Sequence, residues 1–135
     1  MSMRTALIGH TGFVGGNLAT SHEFDDHYNT SNIDQIEGRH YDLVVSAAGR
    51  ADSHRINHAA EEDRRELRAF ADIVETAHID TLVHISTVCV FDDTDRCDED
   101  TVSDASNLTP YGLNRRELET RLMASFDTLS LRLPQ

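Results

Sequence analysis

A tyrosine and an arginine stand four residues apart in the segment PYGLNRRELE, at positions 110 to 119. Residues four apart on a helix share a face, so the cation of Arg115 would face the phenol of Tyr111. A phenol, with a reference pKa of about 10, is a poor base at neutral pH, but a neighbouring cation favours the phenolate. The pair therefore predicts acid–base chemistry at a hydroxyl group.

The same segment has a purely structural interpretation. Tyr111 would only cap a helix that follows Pro110, and Arg115 would pair with Glu119, while the other arginines pair with neighbouring acids. Such surface pairs contribute roughly a few tenths of a kcal/mol each. If the segment stood alone, this interpretation would be favoured, but two further motifs accompany it.

Three glycines at positions 9, 12 and 15 form the second motif, GHTGFVG, between a strand-like and a helix-like segment. Gly9 allows a tight turn, Gly12 lets the backbone approach a pyrophosphate, and Gly15 permits close packing of the helix on the sheet. The amino end of that helix presents unpaired N–H groups to phosphates. The motif predicts a dinucleotide site, and the alternative is a turn that only connects strand to helix.

The residues after the second predicted strand bear on the type of dinucleotide. An acid there bonds the adenosine ribose of NAD, whereas an arginine accepts the 2′-phosphate of NADP. The segment reads Thr30, Ser31, Asn32, with Asp34 slightly later, and carries neither signal clearly. The cofactor is therefore expected to be NAD or NADP, with the choice open.

Apolar runs alternate with longer amphipathic stretches, which predicts βα units and a parallel sheet. The predicted strands cover residues 3–8, 27–30, 42–48, 81–86 and 128–133. The predicted helices cover residues 12–22, 33–37, 58–77 and 111–126, and an acidic loop covers residues 92–109. Helical spacing predicts apolar contacts from Phe13, Val14, Leu18, Ala19, Leu67, Phe70, Ala71, Val74, Leu118, Leu122 and Phe126.

Composition limits the class of protein. A chain of 135 residues is long enough for one domain. Its net charge of −12, with twelve arginines and no lysine, argues against a nucleic-acid partner. No apolar run is long enough to span a membrane, and the absence of an export signal predicts a cytoplasmic protein in which Cys89 and Cys97 are reduced. His54 and His58 lack a third ligand, so no metal site is predicted.

The glycine turn, the segment STVCVF at 86–91 and the segment PYGLNRRELE at 110–119 together resemble the extended short-chain dehydrogenase/reductase family. More narrowly, the chain is similar to the nucleotide-sugar epimerases, dehydratases and dTDP-4-dehydrorhamnose reductases. The resemblance covers essentially the whole chain. It implies a single NAD(P)-binding domain over residues 1–135, with a Rossmann-like doubly wound parallel sheet of the α/β class, a nucleotide-sugar substrate and a homodimer.

The resemblance also implies which residues catalyse the reaction and bind the cofactor. Tyr111 matches the acid–base tyrosine of the family, and Thr87, with Ser86 as second choice, lies where its catalytic hydroxyl is found. Arg115 occupies the position of the family's lysine. The implied cofactor contacts are Gly9, Thr11, Gly12, Phe13, Val14, Gly15, Asn32, Ala47, Ala48, Gly49 and Arg115.

The chain departs from the family pattern in two respects. Arg115 stays charged and can orient the ribose, but it does not readily lose a proton, so retained and lost catalysis are both open. Family members continue beyond the point that corresponds to LRLPQ at 131–135, so the fold is expected to be truncated before the C-terminal substrate lobe. The chain would be either a fragment of a longer enzyme or a short cofactor-binding form. The sheet edge after residue 133 would then favour pairing with another chain.

Overall fold

The computed structural model describes residues 3–47, 59–87 and 110–133, with the side chains of Thr87, Pro110, Tyr111 and Leu133 left out. The strands are β1 Thr5–Ile8, β2 Asp26–Tyr28, β3 His40–Ser46, β4 His78–Thr87 and β5 Thr128–Leu133. The helices are α1 Phe13–Ser21, a 3₁₀ helix Ile33–Ile36, α2 Ala60–Val74 and α3 Pro110–Ser125. Each predicted strand and helix is present in the predicted order, and the ends differ by a few residues, as is usual for element boundaries. The predicted loop at 92–109 lies outside the described residues.

The sheet is parallel throughout, with the strand order β2-β1-β3-β4-β5. The chain passes from β1 to β2 on one side and then returns to β3 on the other side of β1. Because such crossovers are right-handed, α1 covers one face of the sheet, while α2 and α3 cover the other. The predicted Rossmann-like doubly wound parallel sheet is therefore confirmed, and its switch point lies between β1 and β3.

The core lies between the sheet and helices α2 and α3. Val44 and Leu82 are fully buried from the strand side. The buried helix residues that meet them are Leu67, Ala71, Val74, Leu118 and Leu122, with Phe70 and Phe126 partly buried against the same cluster. All seven helix positions were predicted from helical spacing, because the apolar stripe of a surface helix is the face that the core covers.

Helix α1 differs from its prediction. Its only buried residue is Gly15, and the side chain of Phe13 is 87% exposed. Val14 and Leu18 are only partly buried. The helix is held against β1 by the close approach of its backbone at Gly15 instead of by a stripe of apolar side chains. The predicted apolar face of this helix was therefore wrong at Phe13.

A polar network joins β2 to β3 across β1. The hydroxyl of Tyr41 donates to Asp26 Oδ2 at 2.5 Å and also contacts the hydroxyl of Tyr28. Burial, reinforced by these hydrogen bonds, raises the pKa of Tyr41. The network anchors β2, whose last residue, Tyr28, accepts the backbone N–H of Gly9 at 2.7 Å. It therefore supports the turn that follows β1.

Ion pairs tie α2 to α3. Arg121 NH2 of α3 lies 2.5 Å from Glu75 Oε1 and 2.6 Å from Asp72 Oδ1. Arg68 Nε of α2 lies 2.7 Å from Glu117 Oε1. Arg121 thus finds its partners at the neighbouring helix, 46 and 49 residues away in sequence. Among the described residues, no helix is both long and apolar enough to cross a membrane.

Candidate functional site

The geometry of the turn after β1 requires glycine at two positions, Gly9 and Gly15. Gly9 has a φ of 88°, which lies in the left-handed region that favours glycine. A Cβ atom at Gly15 would lie 1.9 Å from the carbonyl oxygen of Gly9, closer than any real contact. The structural roles predicted for Gly9 and Gly15, a tight turn and close packing of helix on strand, are therefore confirmed.

Gly12 has no such internal requirement. A Cβ atom at this position would lie 3.6 Å from Gly9 O, which is an ordinary van der Waals distance. The first intrahelical bond of α1 runs from Gly16 N to Gly12 O at 2.7 Å, and no side chain caps the helix or places an acid in its first turn. Amides in the first turn of a helix have no intrahelical acceptor, so this end of α1 is able to bind an anion. A side chain at Gly12 would narrow the approach to these amides.

A cleft of about 520 Å³ opens beside this turn, a size within the usual range for ligand pockets. It lies at the carboxyl ends of β1 and β3, at the switch point of the sheet, where ligands of open α/β sheets bind. Its lining residues are Ile8, Gly9, Thr11, Gly12, Asn29, Thr30, Ile33, Ala47, Asp63, Glu66, Leu67, Ala69, Phe70 and Ile73. The cleft thus brings together the turn after β1, the turn after β2, the end of β3 and one side of α2.

Nine of the eleven predicted cofactor residues fall into three groups. Gly9, Thr11, Gly12 and Ala47 line the cleft. Phe13, Val14 and Gly15 begin α1, directly after the lining residue Gly12, and do not themselves line the cleft. Ala48 and Gly49 lie outside the described residues.

Asn32 supports the turn after β2. Its Oδ1 accepts the backbone N–H of Asn29 at 2.7 Å, and its Nδ2 donates to the carbonyl oxygen of His27 at 3.0 Å. Its neighbours Asn29 and Thr30 reach the cleft instead. Sequence analysis named Thr30 only as bearing on the choice between NAD and NADP, and it missed Asn29, because it placed both residues at the end of the predicted second strand.

Arg115 is buried against Asp63, one of the residues that line the cleft. Its side chain is 7% exposed, and its NH1 lies 2.5 Å from Oδ2 of Asp63, whose side chain is 4% exposed. Asn114 Nδ2 donates to the same carboxylate oxygen at 2.8 Å and to Ala60 O at 3.1 Å. Because Asp63 also lines the cleft, it links the cleft directly to the helix that carries Arg115. No sequence signal pointed to Asp63, which lies 52 residues before Arg115.

Thr87 and Tyr111 are described through their backbones. Thr87 ends β4, and Tyr111 is the second residue of α3. Since α3 leads from β4 to the parallel strand β5, it runs antiparallel to both strands, and its amino end lies at the carboxyl edge of the sheet. The backbones of both residues therefore lie at the edge that carries the glycine turn. Their catalytic roles stay predictions.

A buried histidine lies behind this edge. His84 of β4 is 2% exposed and is paired in register with Ser46 of β3. Neither ring nitrogen of His84 finds a hydrogen-bond partner within the described part of the chain. Burial lowers the pKa of His84 to about 4, against an opposing effect of Glu119, and the cation of Arg115 lowers it further. His84 is therefore a neutral core residue at neutral pH.

Glu119 stays ionised close to this histidine. Burial alone would raise its pKa, but hydrogen bonds from Arg132 outweigh that effect and lower it. Arg132 NH2 lies 2.5 Å from Glu119 Oε1. The structural pairing of Arg115 with Glu119 considered from the sequence is thus replaced by two pairs, Asp63 with Arg115 and Glu119 with Arg132.

Within the described ranges, one group of side chains has the spacing of metal ligands. One ligand atom from each of His40, Asp42 and Asp80 lies within 4.8 Å of the others. His40 Nε2 lies 3.0 Å from Asp80 Oδ1, and both side chains are 58% exposed. The group lies at the amino ends of β3 and β4, at the opposite edge of the sheet from the cleft. His54 and His58 lie outside the described residues.

No protein-family model matches the chain, and no curated protein is significantly similar to it. Solved structures do match its fold. A dTDP-4-dehydrorhamnose reductase from Bacillus anthracis, in complex with NADP, has a TM-score of 0.77 at 18% identity over 99% of this chain and 54% of its own. An NAD-dependent NDP-hexosamine 5,6-dehydratase of tunicamycin biosynthesis has a TM-score of 0.72 at 17% identity over 97% and 54% of the two chains.

A third match is a UDP-glucose 4-epimerase from Stenotrophomonas maltophilia with bound NAD and formylated UDP-arabinopyranose. Its TM-score is 0.73 at 14% identity over 97% of this chain and 52% of its own. The chain thus spans about half the length of the structures that it matches. At these identities the likeness establishes the fold alone, and the predicted resemblance to dTDP-4-dehydrorhamnose reductases and nucleotide-sugar epimerases and dehydratases is confirmed as a likeness of fold.

Proposed function

We propose that this chain forms the dinucleotide-binding domain of an NAD(P)-dependent oxidoreductase or epimerase that acts on nucleotide sugars. One observation carries the proposal. The cleft at the switch point between β1 and β3 meets the uncapped amino end of α1 at a glycine, Gly12, that the fold itself does not need. A ligand that needs both space and hydrogen-bond donors at that point is a pyrophosphate. The matched structures include enzymes solved with NADP or NAD.

The residues at the cleft fit such a cofactor. The amides of residues 13–15 would hold the pyrophosphate, and Thr11 and Ala47 would line its path along the carboxyl ends of the strands. The positive end of the helix dipole acts locally, so a net charge of −12 does not prevent binding. When bound, the nicotinamide supplies hydride exchange with a carbon of the sugar.

The remaining chemistry would fall to three side chains. Tyr111 would exchange a proton with the reacting hydroxyl, and Thr87 would hydrogen-bond the same oxygen. Arg115 would orient the nicotinamide ribose and favour the phenolate of Tyr111. The ion pair with Asp63 gives Arg115 a defined position beside the cleft.

A second candidate is a domain that binds the dinucleotide without catalysis. The observation that favours it is the same ion pair, because Asp63 Oδ2, only 2.5 Å from Arg115 NH1, cancels much of the charge on the guanidinium. A neutralised pair favours a nearby phenolate far less than a lone lysine would. This candidate predicts dinucleotide affinity with no turnover.

Calorimetric titration with NAD(H) and NADP(H), followed by turnover assays with nucleoside-diphosphate sugars, separates the candidates. Binding with turnover that is lost in Tyr111→Phe, while affinity stays unchanged, supports the enzyme. Binding without turnover supports the second candidate. A chain that binds neither dinucleotide would contradict both.

Two finer expectations accompany the proposal. A cytoplasmic location and a homodimer through helices that include α3 follow from the family resemblance. Light scattering coupled to size-exclusion chromatography tests the dimer, and a strictly monomeric chain at micromolar concentration would contradict it.

A further inference from the structure

We propose that the cleft selects NAD over NADP. This inference rests on the proposed function and deepens it. With a pyrophosphate at the amino end of α1, the adenosine ribose of a dinucleotide falls beside the turn that follows β2. In this chain that turn brings Asn29 and Thr30 to the cleft, and Ile33 lines it alongside them. We call these three residues the ribose corner.

The described lining of the cleft offers no cation to a phosphate. Among the described residues that line the cleft, none carries a positive charge; its two carboxylates are Asp63 and Glu66 of α2, of which Asp63 is paired with Arg115. A 2′-phosphate brings a charge of about −1.5 to −2 at neutral pH, whereas a 2′-hydroxyl brings none. The two cofactors differ in that group alone, so the lack of a cation acts against NADP and spares NAD.

Three basic side chains that the structure describes close to β2 are engaged elsewhere. Arg4 NH2 and Arg39 NH1 lie 3.5 Å and 3.6 Å from Asp26 Oδ2, at the start of β2 and so at the opposite end of that strand from the corner. His10 Nδ1 lies 3.1 Å from the carbonyl oxygen of Tyr28. A carbonyl oxygen only accepts, so Nδ1 of His10 is the donor in this contact and is already used.

The corner is also shaped for a neutral hydroxyl. Asn29 Oδ1 accepts the backbone N–H of Ser31 at 2.9 Å, so the amide nitrogen of Asn29 is the group that a ligand would meet. The side-chain amide of Asn32 stabilises the turn through hydrogen bonds with Asn29 N and His27 O. One amide donor satisfies the oxygen of a ribose hydroxyl, but the three oxygens of a phosphate call for guanidinium or ammonium donors.

Fluorescence titration of the full chain with NADH and NADPH, at pH 8 and low salt, tests the inference. We expect NADH to bind about tenfold or more tightly, because the described lining of the cleft offers no cation to the 2′-phosphate. Equal affinities, or tighter binding of NADPH, would overturn the selectivity while leaving the proposed function in place. If neither dinucleotide binds, the proposed function fails and the selectivity fails with it.

A pair of variants tests whether the ribose corner is responsible. Thr30→Arg places a guanidinium in the corner and should narrow the preference for NADH about tenfold or more, chiefly by strengthening NADPH binding. Thr20→Arg is the matched control, because it adds the same charge at the exposed far end of α1. If both variants change the two affinities alike, the effect is one of total charge and the assignment of the corner is wrong. Circular dichroism establishes that both variants are folded.

Discussion

Asp63 of α2 and Arg115 of α3 form an ion pair that is almost wholly withdrawn from solvent, with exposed side-chain fractions of 4% and 7%. The carboxylate lines the cleft at the switch point, and the guanidinium lies one helical turn after Tyr111. Asn114 donates to the same carboxylate oxygen. A buried charge pair therefore joins the wall of the cleft to the helix that carries Tyr111, in addition to the more exposed ion pairs between α2 and α3.

Removing one member of this pair should be costly. Asp63→Ala leaves a buried guanidinium without its counter-charge and should lower the free energy of unfolding by about 3–5 kcal/mol. Urea denaturation measures the loss. Asp72→Ala is the control on the same helix, because its side chain is 70% exposed and its pair with Arg121 should contribute only about 0–1 kcal/mol. Equal losses of unfolding free energy in the two variants would show that the buried pair contributes no more to stability than the exposed pair.

Neutralising Asp63 while keeping its shape should change the chemistry. Asp63→Asn removes the negative charge that offsets Arg115, so the phenolate of Tyr111 should form at lower pH. If the original chain is active, the rate–pH profile of turnover should shift to lower pH. If the original chain is inactive because the pair neutralises Arg115, the variant should gain a measurable rate. The same substitution in a Tyr111→Phe background should have no such effect. An unshifted profile would mean that Arg115 does not act on Tyr111.

Gly12→Ala should separate binding from folding. Among the described residues, a methyl group at Gly12 meets only Gly9 O at 3.6 Å, so stability should change by less than about 1 kcal/mol. Dinucleotide affinity should fall, because the methyl group occupies the approach of the pyrophosphate. Thermal unfolding and calorimetric titration measure the two effects.

Two other glycines give the controls for this substitution. Gly16 lies inside α1, and a Cβ atom there would lie 3.5 Å from His10 O. Gly16→Ala should therefore retain dinucleotide affinity and stabilise the helix by about 1 kcal/mol. Gly15→Ala should disrupt folding, because the added atom would lie 1.9 Å from backbone. Unchanged dinucleotide affinity in Gly12→Ala would contradict the prediction that the pyrophosphate binds at this turn.

His84 should make stability depend on pH. Its pKa is lowered to about 4 by burial, whereas in the unfolded chain it is about 6.5. Between these values the unfolded state binds a proton that the folded state refuses, so stability is full above pH 6.5 and falls as the pH drops towards 4, by about 3 kcal/mol in total. Urea denaturation between pH 4 and 7.5 measures this loss.

His84→Leu should flatten the profile over that range without lowering stability at pH 7.5, since the ring nitrogens have no partners among the described residues. His22→Leu, at an exposed position, should leave the slope unchanged. A profile for His84→Leu as steep as that of the original chain would show that His84 is not the group that titrates. The lowered pKa of Glu119 adds a separate loss at lower pH.

Local and periodic features of this protein were predictable from its sequence. The order of strands and helices follows from the alternation of apolar runs, and the buried faces of α2 and α3 follow from positions such as Leu67 and Leu118, because helical spacing alone determines which side chains share a face. The turn at Gly9 and Gly15 was equally predictable, since its geometry depends on a few successive residues.

Tertiary structure alone decided the rest. Asp63 meets Arg115 across 52 residues because the crossover connections bring α2 and α3 side by side, and no periodicity encodes such a pair. The tertiary structure also brings Asn29 and Thr30 to the cleft, whereas the side chain of Asn32 bonds within the turn. Phe13 is exposed because α1 packs on the sheet through the backbone at Gly15 and not through a stripe of apolar side chains. Spacing along the chain specifies faces and turns, but which charges and amides meet depends on how those faces are stacked in space.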